Sequence, residues 1–138
     1  MAQLVFFYGT LMTPFNRSGR RRIDEHLTFK GRGSIAAALF DLGTYPGAVP
    51  ASGTRVRGEV FEMARPRVVL QALDEVEGYR PGEPETSLYT RLLTPAALDD
   101  GEIVDAWAYF YNAPLGRAER IASGDYLEYL KAHRCGSP

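Results

Sequence analysis

The sequence predicts an α+β fold, a small mixed β-barrel with flanking helices, and three observations point to it. Residues Ile103 to Tyr111 alternate Val104, Ala106, Ala108 and Phe110 with Ile103, Trp107, Tyr109 and Tyr111, so both faces of the segment are apolar. A strand apolar on both sides is covered on both sides, as in a closed barrel with a helix against its wall. Residues Pro66 to Glu77 supply such a helix, with Val69, Leu70, Leu73 and Val76 forming one apolar stripe. The chain's 138 residues, 45% hydrophobic and 24% charged, suit a single domain over 1–138 whose core needs neither a disulfide nor a metal.

The elements follow in order. Gln3 to Phe7 reads as a buried strand through Val5, Phe6 and Phe7, and it ends abruptly in the small turn Tyr8-Gly-Thr-Leu11. Gly9 permits positive φ and lets another molecule approach the main chain closely, and the amides of such a turn can hold a carboxylate or a developing oxyanion. A purely structural glycine turn is the plainer reading of the same residues. Ile23 to Leu27 suits a short helical turn, and Ser34 to Leu42 an alanine-rich second strand. In Asp41 to Gly47, Pro46 fixes φ, Gly43 and Gly47 allow reversal, and Tyr45 is left on the loop as a possible pocket wall. Arg55 to Met63 alternates Val56, Gly58 and Val60 with Arg57, Glu59 and Phe61, a strand with one face partly exposed.

The helix after it opens on Pro66, tolerated in a first turn, and stops at Gly78, which suits the left-handed residue that ends a helix. Arg80 to Ser87 is loop, Leu88 to Thr94 a strand carrying Tyr89 and Arg91, and Asp99-Asp-Gly101 the turn before Ile103 to Tyr111. Ser123 or Asp125 is placed to cap a last helix running to about His133.

Composition excludes several classes. A formal charge of −1 gives no reason to expect a nucleic acid, and the basic run Arg17 to Arg22 reads as a solvated loop or helix face. No stretch reaches the ~18 to 20 apolar residues of a membrane span, and the first residues lack the pattern of a secretion signal. The lone Cys135, in what reads as a frayed tail, forbids an internal disulfide and points to a reducing, cytoplasmic setting. His26 and His133 are too few and too far apart to compose a metal site, and no cofactor is called for.

Glu77 is the second informative position. It falls at the negative end of a helix, three residues after Asp74, beside Val76 and Tyr79. All three circumstances disfavour its charge and would raise its proton affinity toward the range of a general base. Helix geometry alone favours the plainer reading, in which Glu77 points into water from the helix end.

The chain resembles the gamma-glutamylcyclotransferase-like proteins, in the branch with gamma-glutamylamine cyclotransferase and the AIG2-like proteins. The resemblance spans nearly all of it: YGTL at Tyr8 to Leu11, DLGTYPG at Asp41 to Gly47, VRGEVFE at Val56 to Glu62, LDEVEGY at Leu73 to Tyr79, YTR at Tyr89 to Arg91, AWAYFY at Ala106 to Tyr111 and SGDYLEYL at Ser123 to Leu130. It implies a mixed α+β domain on a β-barrel, a small-molecule γ-glutamyl substrate, Glu77 as general acid and base, and substrate binding by Tyr8, Gly9, Thr10 and Leu11. The implied reaction releases 5-oxoproline from a γ-glutamyl amine or peptide by attack of the substrate's own α-amine on its γ-carbonyl. Tyr45, Tyr79, Tyr89 and Tyr111 are pocket-wall candidates, Tyr45 and Tyr111 being assigned to substrate binding. Arg91 suits either a substrate carboxylate or a structural ion pair. YGTL departs from the YGS-type loop with a following tryptophan that marks the glutathione-degrading branch, so glutathione is a poor expectation. The alternative function is a non-catalytic binder of small anions or metabolites using the same pocket.

Overall fold

The computed structural model describes residues 3–12, 18–43 and 45–135. Its strands are β1 (Gln3–Phe7), β2 (Leu27–Asp41), β3 (Pro46–Met63), β4 (Tyr89–Leu98), β5 (Ile103–Tyr111) and β6 (Glu119–Ile121), and its helices are α1 (Ser18–Arg21), α2 (Pro66–Glu77) and α3 (Tyr126–Cys135). Strands β1, β3, β2, β4 and β5 pair in a ring, because β3 bonds to β2 as well as to β1. β6 continues along β2 at Leu39 to Asp41. Every pairing is antiparallel except β1 with β5, so the barrel is mixed as expected. Its interior holds Phe6, Ile35, Val56, Val60, Ala106 and Ala108, all fully buried.

β2 and β3 are much longer than the sequence suggests. They form one hairpin from Leu27↔Met63 to Asp41↔Pro46, with register shifts at Phe29/Gly31 and Ala36/Ala37. Such irregularities break the two-residue alternation from which a strand is recognised. The outer face of β3 is also better covered than its charged residues imply. Glu59 and Phe61 are both buried, and the Arg20 guanidinium lies 4.3 Å from the Phe61 ring centre. The basic run is therefore only partly a solvated face: Arg21 and Arg22 are exposed, Arg20 is 7% exposed, and Arg17 lies outside the described residues.

α2 starts at Pro66 and ends with Gly78 at φ 68°, where Gly78 N–H reaches Glu75 O at 3.4 Å and Tyr79 N–H reaches Asp74 O at 2.9 Å. This pair of bonds closes the last turn and fixes where the helix stops. Val69, Leu70 and Leu73 pack inward as expected, but Val76 does not, and the fourth buried position is Asp74. The two-sided covering of β5 holds for its second half only. Tyr109 and Phe110 are buried, whereas Ile103 is 64% exposed beyond the reach of the helix.

Asp125 caps α3 by accepting the Glu128 amide at 3.1 Å, and the Tyr129 hydroxyl donates to Asp41 at 2.6 Å, docking that helix on the end of β2. α3 extends to Cys135, past the expected end near His133. The side chains of His133 and Cys135 lie outside the described residues.

β1 and β3 approach so closely that a Cβ on Gly58 would stand 2.2 Å from Phe7 O and 2.6 Å from the Phe6 ring. Backbone occupies one side of that contact, so relief requires the strands to separate. Gly58→Ala is expected to destabilise the protein by about 2 to 3 kcal/mol, read as a lower urea midpoint. An unchanged midpoint would show that the crossing is looser than described.

Candidate active site

A cavity of about 300 Å³ opens where β1 runs out of the barrel. Its floor is aromatic: Phe6, Phe7 and Tyr8 from β1 and the residue after it, Tyr89 from the start of β4, and Tyr109 from β5. Gly9, Thr10 and Leu11 form one side, and Glu77, from the last turn of α2, stands on another. Tyr45 and Pro46, Val76 and Leu88 complete the mouth. Three of these keep large apolar surfaces in water, with Tyr45 36%, Val76 45% and Leu88 40% exposed.

The phenol of Tyr8 holds this arrangement in place. It donates to Tyr109 O at 2.7 Å and accepts the Ala48 amide at 3.1 Å, so β1, β5 and β3 meet at one buried oxygen. Burial pushes its proton affinity far up, with Glu77 adding to the effect, and the group stays a neutral hydrogen-bonding bridge. The turn is closed by Met12 N–H donating to Gly9 O at 3.0 Å. In a turn so closed, the amides of the two central residues, Thr10 and Leu11, are left for other acceptors. Gly9 is needed for closeness, since a Cβ there would lie 2.9 Å from Pro46 Cγ, and it is not among the glycines at positive φ. That differs from the conformational reason inferred from sequence.

Arg20 supports the turn from behind. Its Nη1 donates to Leu11 O at 3.1 Å and its Nε to Asp24 Oδ1 at 3.1 Å. Sequence reasoning missed this residue, because a basic run carries no sign of which arginine is turned inward.

Glu77 is half-buried, and burial alone raises its carboxyl from 4.5 to about 7. Desolvation, one of the causes expected from sequence, drives this rise. The oxygens of Asp74, one turn back, accept Arg91 Nε at 2.9 Å and Nη2 at 3.2 Å. The Tyr109 hydroxyl donates to the same carboxylate, so Asp74 is a paired group within the protein. Arg91 thus has an internal carboxylate, and of its two readings the ion pair is the one present.

The tyrosines divide. Tyr45 and Tyr89 line the cavity with ring centres 6.2 Å apart, and the Tyr89 hydroxyl donates to Pro46 O at 2.9 Å. Tyr111 stands behind Tyr89, edge-on at 5.4 Å, and does not line the cavity. It lies close against Gly47, where a Cβ would stand 2.9 Å from Tyr111 Cβ. Tyr79 also lies off the cavity, with its ring centre 5.7 Å from the Arg91 guanidinium.

The folded chain holds the Glu77 proton more tightly than the unfolded chain, so between pH 4.5 and about 7 the folded state binds more protons and stability falls as pH rises. Glu77→Gln removes that penalty. The variant is expected to be more stable than the parent by about 1 to 3 kcal/mol at pH 8, with the difference vanishing near pH 4. Thermal melts at the two pH values measure it, and a variant less stable at pH 8 would contradict the assigned burial.

A family model described as "Gamma-glutamyl cyclotransferase, AIG2-like" matches residues 5–128. The chain is 33% identical over 125 residues to the gamma-glutamylcyclotransferase family protein YtfP of Escherichia coli K12, covering 90% of this chain and 96% of that protein. The solution structure of Escherichia coli ytfP superposes with a TM-score of 0.65 at 30% identity, over 92% of this chain and 98% of the other. YkqA of Bacillus subtilis superposes at 0.73 and 23% identity over all of this chain, which spans 44% of YkqA. An AIG2-like protein from Mus musculus superposes at 0.60 and 24% identity, over 82% of this chain and 80% of the other. The last two likenesses concern the fold alone.

Proposed function

Because the chain belongs to the gamma-glutamyl cyclotransferase, AIG2-like family, we propose that it cyclises a γ-glutamyl amine or γ-glutamyl peptide to 5-oxoproline and a free amine, with Glu77 as general acid and base. The observation that carries this reading is the meeting of the Gly9 to Leu11 turn with a carboxyl raised to about 7 around one cavity.

The chemistry needs few groups. The substrate's α-ammonium is attracted to ionised Glu77 and gives it a proton, and the freed α-nitrogen then attacks the γ-carbonyl carbon. A C–N bond forms, the oxygen takes up charge, and the bond to the departing nitrogen breaks as the oxygen's charge returns. Two protons leave the α-nitrogen and two arrive on the departing nitrogen, with Glu77 carrying them. Amides of the turn serve the anionic oxygens, either the developing oxyanion or the α-carboxylate. Both reacting groups belong to one molecule, so holding the substrate folded supplies several kcal/mol, up to ~7 to 11 in ideal cases. The aromatic floor presents a fixed surface against which that fold is held, and Tyr8, its phenol engaged at both donor and acceptor, serves as wall and support. No cofactor takes part in this scheme.

The test is 5-oxoproline release from a panel of γ-glutamyl amines and peptides, followed by mass spectrometry. Glu77→Gln is expected to lower kcat by about 10²-fold or more. In the parent protein kcat/KM should rise with pH through about 7, because that ratio reports the free enzyme's base. Equal release by parent and variant would end the proposal. Ligand binding at the turn without release would favour the metabolite-binding alternative.

A further inference from the structure

We propose that Arg91 is a positioning residue for Glu77: by gripping both oxygens of Asp74 it seats the last turn of α2 on the barrel and keeps a second negative charge from acting on the cavity carboxyl. The inference deepens the catalytic reading of Glu77 and rests on it for its kinetic arm only.

Asp74 and Glu77 are three residues apart on α2, neighbours on one helix face. Asp74 is 9% exposed, and a carboxylate so placed is tolerated when its charge is matched and its lone pairs are taken. Arg91 does both, through two hydrogen bonds from β4. Arg91 and Tyr109 are directly paired across β4 and β5, so guanidinium and phenol rise from the same outer face to meet the same carboxylate. The guanidinium also lies 4.9 Å from the Trp107 ring centre, which leaves it little freedom. Tyr109 lines the cavity as well, so the pair that seats the helix touches the cavity wall.

The charges around Glu77 make the pairing consequential. Facing it are the phenols of Tyr8 at the end of β1, Tyr89 on β4 and Tyr109 on β5, all kept neutral by burial. On the solvent side of α2 Arg22 pairs with Glu75, beyond its end Arg80 pairs with Glu83, both exposed, and Arg20 from α1 is bound to Asp24. The Asp74 and Arg91 charges are the matched pair buried beside it. Held in contact, the two opposite charges form a neutral pair, and removing either leaves the other's charge unmatched. A purely structural role would disturb Glu77 in the same sense whichever partner was lost.

Carboxyl carbon NMR of the folded, ligand-free protein, with Glu77→Gln identifying the signal, reads the titration midpoint of Glu77 without any need for turnover. Asp74→Asn should lower that midpoint by roughly half a pH unit or more, because Arg91 is left uncancelled, and Arg91→Met should raise it by a similar amount. Arg91→Lys and the double variant Asp74→Asn/Arg91→Met should both stay near the parent. Where a γ-glutamyl compound is turned over, the pH profile of kcat/KM should move in the same directions. Shifts of one sign in both single variants, or none in either, overturn the inference. If Arg91→Met fails to fold, Asp74→Asn against Arg91→Lys decides, and an unmoved Asp74→Asn midpoint overturns it. Absence of 5-oxoproline from every substrate would strike at the proposed reaction and leave the NMR result standing.

Discussion

The geometry of this protein depends on one buried phenolic oxygen. β1 pairs with β5 through a single register position, Val5 opposite Trp107, so ladder bonds alone hold that seam of the barrel weakly. Tyr8, the first residue beyond β1, adds a donor bond to β5 and an acceptor bond to β3 where the strand leaves the wall. Neutral hydrogen bonds of this kind contribute modestly when made and cost more when a buried partner is orphaned. The turn that follows inherits its position from them. Tyr109 sits at the centre of this arrangement, with its main-chain oxygen taking Tyr8 and its side chain reaching α2. Both walls of the cavity are thereby referred to a single residue of β5.

Two carboxylates one turn apart on α2 are treated in opposite ways. Asp74 is matched by a guanidinium and a phenol, while Glu77 forms no ion pair among the described residues and faces aromatic rings. Environment rather than residue type sets them apart, one paired within the protein and the other facing the cavity, which is how like groups come to divide structural and chemical work. Glu77 can carry a proton near neutrality because its surroundings stabilise its charge poorly. Asp74 can be buried because Arg91 crosses from the neighbouring strand.

Much of this was legible in the sequence, and the missing parts have physical reasons. α2 was readable from Pro66 to Gly78 because apolar spacing, a first-turn proline and a terminal glycine all agree on the same boundaries. β5 was readable because of its length and apolar density, although the covering of its first half was overstated at Ile103. Leu27 to Gly33 escaped notice as strand because its pairing with β3 is made by main chain and interrupted by bulges, and β6 because three residues carry no period. The meeting of the Tyr8 to Leu11 turn with Glu77 rested on resemblance, since no local pattern relates residues so far apart. Val76 looked like core from its spacing and proves to be rim. The partnership of Asp74 with Arg91 is a tertiary fact, and spacing on one helix could not distinguish it from repulsion between Asp74 and Glu77.

The floor and the mouth of the cavity come from different kinds of structure. The floor is built largely from strand residues locked into the barrel, whereas Tyr45, Val76 and Leu88 come from a turn, a helix end and a loop, and are already largely wetted. Exchanges at exposed positions usually cost a fold little. Such a molecule is suited to divergence: descendants can trade the outer three side chains for others and meet new compounds, while the interior that bends the chain and carries the acid passes down unaltered.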